Sequence, residues 1–207
     1  DQFMFTNESR LYTPLTNSDE YAANGFEVGG NITIFAKYSE AFGLSLRDQT
    51  QMAQIIEAAL ISIDEQQTLH LLLFLAWAAI KVKAPDVFDA NLAAKKSVLT
   101  ALDKLGSIRS KLEHFTWTDL AYRNAGARAS QISLLKCLQD YQNILGKPVM
   151  QQIEICRTNG SARIDGISRC LDENTIRQDK QSNTIDPHKL SHYAALVAQA
   201  GRITLNS

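Results

Sequence analysis

The stretch LHLLLFLAWAAI, residues 69–80, decides the fold. It is the longest apolar run in the chain and carries a single polar residue, His70. A helix needs about 20 apolar residues to cross a bilayer, and this run stops short. A helix apolar on all sides belongs at the centre of a helical protein. The spacing predicts a helix over roughly 66–82, surrounded by others, with His70 as a hydrogen-bonded core residue.

The neighbours read outward from it. Ser45 can cap a helix and Asp48 suits its first turn. Met52, Ile55, Ile56, Ala59, Leu60 and Ile63 then recur at helical spacing. Pro85 suits the first turn of a helix over 85–105, with Gly106 as its stop. Further helical pieces are expected over 107–115, from about Thr118, and over 127–145. Short ones follow over 148–157 and 161–171. Residues 172–186 are polar and without apolar period, which marks a linker. Asp186 and Pro187 can start a last amphipathic helix carrying Leu190, Tyr193, Leu196 and Val197. That helix can dock on its own core or on the next subunit's.

Residues 1–30 are polar and punctuated by Thr13-Pro14 and Gly29-Gly30. Residues 26–35 can close into a short β-hairpin around the glycine pair. The expected architecture is mostly α: an N-terminal arm (1–39), a helical core (40–171), and a linker with a C-terminal amphipathic helix (172–207). Arms of this kind can grip neighbouring copies, so a homo-oligomer is expected.

The net charge of −1 conceals a sorted distribution. Residues 1–80 hold ten acids and three bases, whereas residues 81–136 hold ten bases and five acids. That asymmetry points to a polyanion, or to copies meeting acidic face to basic face. In the basic middle, Lys95, Lys96, Lys104, Arg109, Lys111, Arg123, Arg128 and Lys136 interleave with Phe115, Trp117 and Tyr122. Cationic side chains neutralise phosphates and aromatic faces stack on unpaired bases, which together suit single-stranded RNA. A plain solvated surface over three core aromatics fits the same residues.

Ser107-Ile108-Arg109-Ser110-Lys111-Leu112-Glu113-His114-Phe115-Thr116, followed by Ala121-Tyr122, resembles a segment in coat proteins of flexible filamentous plant RNA viruses. Those proteins place an aromatic six residues after an Arg, as Arg109 and Phe115 do here. Leu138-Gln139-Asp140-Tyr141 is similar to their small-Phe-Asp-aromatic segment. The resemblance implies that Arg109 contacts phosphate, that Asp140 positions it, and that the arms bind neighbouring subunits in a filament. It departs from the pattern at Gln139, which stands in place of Phe, and in a short interval between Arg109 and Asp140.

Catalytic signals are missing from the sequence. His188 and His192 have metal-compatible spacing but no accompanying His-Glu-x-x-His. Asp64-Glu65 and Asp172-Glu173 are adjacent pairs, which point apart on a helix. There is no phosphate-loop or dinucleotide glycine motif. Cys137, Cys156 and Cys170 lack metal spacing and form no disulfide framework, although Cys156 and Cys170 can pair. An enzyme would have to gather distant residues such as His114, Cys137 and Asp165. The expectation is a non-enzymatic coat or nucleocapsid-like protein of the cytoplasm or a virion, without cofactor, metal or membrane. Arg109, Lys111, Arg123 and Arg128 would bind phosphates, Trp117 or Tyr122 would stack, and Asp140 would orient Arg109. The alternative is a helical adaptor or effector that docks a protein partner.

Overall fold

A computed structural model describes residues 11–12, 31–63, 69–123, 126–145, 147, 151, 154–155 and 190–205. It is mostly α-helical. The helices are α1 (Asn31–Phe42), α2 (Leu46–Ser62), α3 (Leu71–Lys83), α4 (Pro85–Ala93), α5 (Val98–Asp103), α6 (Gly106–His114), α7 (Leu134–Leu145) and α8 (Leu190–Leu205). Strands β1 (Leu11–Tyr12) and β2 (Leu69–His70) pair in parallel, and β3 (Thr116–Arg123) and β4 (Gly126–Ser133) pair antiparallel.

The apolar run forms α3, and every residue from Leu71 to Ile80 is buried. Helices α1, α2, α4, α5, α7 and α8 all pack on it. Trp77 meets Phe88 of α4 edge-on, with ring centroids 5.7 Å apart, and Lys81 Nζ sits 4.8 Å from the Phe88 centroid. From α1, the Tyr38 hydroxyl donates to the Leu72 carbonyl at 3.0 Å. Burial pushes the Tyr38 hydroxyl well above its ordinary pKa, with Cys137 adding to the shift, so it remains a donor. His70 stands at the N-terminal end of α3, not inside it, and is fully buried. Its backbone N–H donates to the Tyr193 hydroxyl of α8 at 3.2 Å.

Helix α2 starts as its sequence dictates. The Ser45 amide donates to Asp48 Oδ2 at 2.9 Å and the Asp48 amide donates to Ser45 Oγ at 3.2 Å. These bonds satisfy two amides that the first turn would otherwise leave open. They also hold the Asp48 carboxyl below its usual range, helped by Lys83 and Arg47.

Two helices end in the same way. After α1, the Gly43 amide donates to the Glu40 carbonyl and the Leu44 amide to the Ser39 carbonyl, with Gly43 at φ 58°. After α4, the Lys95 amide donates to the Leu92 carbonyl and the Lys96 amide to the Asn91 carbonyl, with Lys95 at φ 51°. Both are Schellman ends, which require a left-handed residue. The first uses glycine and the second a lysine.

Several expectations are corrected. Residues 31–35 are helical, so no hairpin spans 26–35; residues 26–30 lie outside the described ones. Ile34, Phe35 and Tyr38 are buried, which places α1 in the core and not in an arm. The helix expected over 85–105 breaks at the Schellman turn, and Ser97 caps α5 by accepting from the Thr100 amide. Gly106 opens α6 instead of stopping the helix before it. The helices expected from Thr118 and over 127–145 give way to the β3–β4 hairpin, and α7 starts only at Leu134. The pieces expected over 148–157 and 161–171 fall outside the described residues, apart from 151 and 154–155.

The last helix docks on its own core. Tyr193, Ala194, Val197 and Ala200 are buried, and α8 lies against α2 and α3. Gly201 lies against the Lys81 side chain of α3.

Candidate nucleic-acid interface

Helix α6 is anchored by few residues. Leu112 is its one buried side chain, with Ile108 packed against the core beside it. Phe115 follows the helix and lies 5.6 Å from Lys37 Nζ of α1. Ile108, Leu112 and Phe115 thus hold one side inward, and Lys111, Glu113 and His114 are left exposed. Lys111 and His114 occupy the last turn, where positive charge suits the helix dipole. His114 Nδ1 bonds the Ser110 carbonyl of its own helix at 2.6 Å.

Arg109 is half-exposed and forms an ion pair, through Nη1, with Asp103 Oδ1 at the end of α5. Asp140 bonds Lys136 one turn earlier on α7, at 2.9 Å. Among the described side chains the acid that meets Arg109 is therefore Asp103. The expected positioning of Arg109 by Asp140 is not the pairing these helices make.

From α6 the chain runs into the hairpin. Trp117 stands opposite Ile132, Ala121 opposite Arg128, Tyr122 opposite Ala127 and Arg123 opposite Gly126. The Leu134 amide donates to the Phe115 carbonyl at 2.9 Å and closes the base. Directly paired residues share a face of a ribbon and successive residues alternate. Positions 117, 123 and 128 therefore fall on one face and position 122 on the other. The two strands lie chiefly against each other, and β4 also touches α6 and α7.

The candidate residues thus belong to one continuous segment, α6–β3–β4–α7. The fold brings Arg109 and Lys111 onto a single exposed helix and places Trp117, Tyr122, Arg123 and Arg128 on the ribbon that follows. Asp103 was missed at the sequence level. It lies six residues before Arg109, across a helix break, and no periodic spacing joins the two.

Elsewhere the described residues offer little chemistry. Cys137 is a fully buried thiol. No group of His, Cys, Asp and Glu among the described residues could hold a metal ion. Asp165, Cys156, Cys170 and His188 lie outside the described residues. No described helix is long and apolar enough to cross a membrane.

No family model, curated protein or solved structure matches the chain.

Proposed function

We propose that the chain is a self-assembling helical structural protein that coats single-stranded RNA. Arg109 and Lys111 of α6, with Arg123 and Arg128 of the hairpin, contact phosphates. Trp117 or Tyr122 stacks on unpaired bases. Copies of the chain meet through the terminal segments that flank the core.

One observation carries this reading. Helix α6, which carries Arg109 and Lys111, is followed after Phe115 by a two-stranded ribbon bearing the aromatic and arginine positions. A two-stranded ribbon is marginally stable alone in water, so it gains from a ligand that binds along it. Backbone charges on RNA would meet the arginines, and the bases would meet the aromatics. The rival reading has the acidic first third or the last amphipathic helix dock a protein partner. The buried face of α8 is instead occupied by α2 and α3.

The test is direct. Protein purified natively at low salt should show a nucleic-acid-rich 260/280 nm absorbance ratio and large particles. Four phosphate contacts to a single strand give a salt slope of about −3, so affinity should fall roughly 50-fold between 50 and 200 mM salt. A small, nucleic-acid-free particle with no salt-dependent affinity for RNA would remove the reading.

A further inference from the structure

We propose that Asp103 is a built-in competitor for the anion site of Arg109, and that it sets how tightly the chain holds a phosphate backbone. The inference rests on the RNA-binding reading and adds to it a residue that limits affinity.

The position of Asp103 has little to do with helix stability. It is the last residue of α5, where the carbonyl ends already carry partial negative charge and a carboxylate is disfavoured. The ion pair with Arg109 offsets that placement. Its side chains are 41% and 53% exposed for Arg109 and Asp103 respectively, and pairs this open contribute little to stability.

The pair matters more for ligand binding. A guanidinium holds carboxylate and phosphate with the same N–H fork, so the two anions compete for one geometry. While Asp103 holds Nη1, the pair carries no net charge and neutralises no phosphate. An RNA strand must displace Asp103 or share Arg109 with it. Only polyanions that bring further contacts, to Lys111 and to the hairpin arginines, would win. A lone phosphate or a short acidic peptide would not. Asp103 would therefore discriminate a long backbone from small anions.

Glu113 supplies the internal control. It stands on α6 one turn after Arg109, is exposed, and makes no ion pair with Arg109 among the described residues. Neutralising Glu113 changes the net charge by the same amount without freeing the guanidinium.

The experiment measures fluorescence anisotropy of a labelled oligouridylate across a salt series. It uses the full chain as wild type, Asp103→Asn, Arg109→Ala, the double variant and Glu113→Gln. Thermal melts confirm that each is folded. Asp103→Asn should bind about three- to tenfold tighter, with a salt slope close to that of wild type, because Arg109 meets its phosphate in both. In the Arg109→Ala background the same change should gain little, and Glu113→Gln should gain less than Asp103→Asn. An unchanged or weaker Asp103→Asn, with wild type binding and Arg109→Ala impaired, overturns the competitor. So does an equal gain from Glu113→Gln or in the Arg109→Ala background, since net charge alone would then explain it. If wild type shows no salt-dependent binding and Arg109→Ala is neutral, the RNA reading itself has failed and the inference goes with it.

Discussion

Helices α3 and α6 differ in what surrounds them. In α3 ten consecutive residues are buried and the first charge comes at Lys81. In α6 one residue of nine is buried, and Arg109, Lys111, Glu113 and His114 make its second half mostly polar. Position in the layer order accounts for this. The first helix is enclosed by six others, while the second packs by one side on α1, α5 and α7 and leaves its other side to solvent. On the RNA-binding reading proposed above, the difference teaches that stability and recognition are carried by separate parts of the chain. Substitutions in α3 should move the melting temperature, and substitutions in α6 should move ligand affinity.

Trp77→Ala should have the largest effect on stability. It removes the edge-on contact with Phe88 and opens a void in the most enclosed layer. The expected loss is about 3–5 kcal/mol in urea unfolding. If Arg109→Ala lost as much, the division between the two helices would be broken.

Tyr38→Phe should cost less, about 1–2 kcal/mol, because it removes the donor to the Leu72 carbonyl and keeps the ring. The paired Schellman ends sharpen the comparison further. Gly43→Ala should destabilise by about 1–2 kcal/mol, since a Cβ is strained at positive φ. Nothing crowds that position, so the strain is the whole effect. Lys95→Gly should do the reverse and stabilise by about 0.5–1 kcal/mol. Opposite signs in parallel denaturant titrations would show that one backbone geometry governs both ends.

A pH series separates a third contribution. Asp48 is held below its usual range in the folded chain, chiefly by the Ser45 amide and then by its hydroxyl. Folding therefore favours the carboxylate, and its contribution is present above the ordinary carboxylate pKa of about 3.9. It is lost as pH falls from there through the depressed folded value. Asp48→Asn should flatten that part of the acid limb in a stability-against-pH profile. The smallest effect on stability is expected for Arg109→Ala, within about 0.5 kcal/mol, because its ion pair is half in solvent.

Much of the helical body was legible in the sequence. The Ser45 and Asp48 pair marked the start of α2, and the unbroken apolar run gave the burial of α3. The hairpin was not legible, for a physical reason. Ile132, Leu135, Leu138 and Tyr141 keep a period of three across the boundary between β4 and α7, so one apolar stripe runs through two kinds of structure. That stripe predicted a helix start near 127, seven residues early. Thr116, Trp117, Thr118 and Tyr122 carried the competing β preference. The expected hairpin at 26–35 failed the other way. Ile32-Thr33-Ile34-Phe35 has a β-prone composition, but the buried set Ile34, Phe35, Tyr38, Ala41 and Phe42 follows the helical period that packing on α3 demands. The candidate phosphate-binding residues were legible by type. The partner of Arg109 was not, because Asp103 reaches it across the turn between α5 and α6.

The bond from the His70 amide to Tyr193 joins residues 123 positions apart. On a ribosome adding about 5–20 residues per second, α3 leaves its partner helix roughly 6–25 s behind. Through that interval the groove that Tyr193, Ala194, Val197 and Ala200 will fill stands open beside the most apolar helix of the protein. A nascent chain stalled before residue 190 would present that groove to chaperones, or to other unfinished copies of itself.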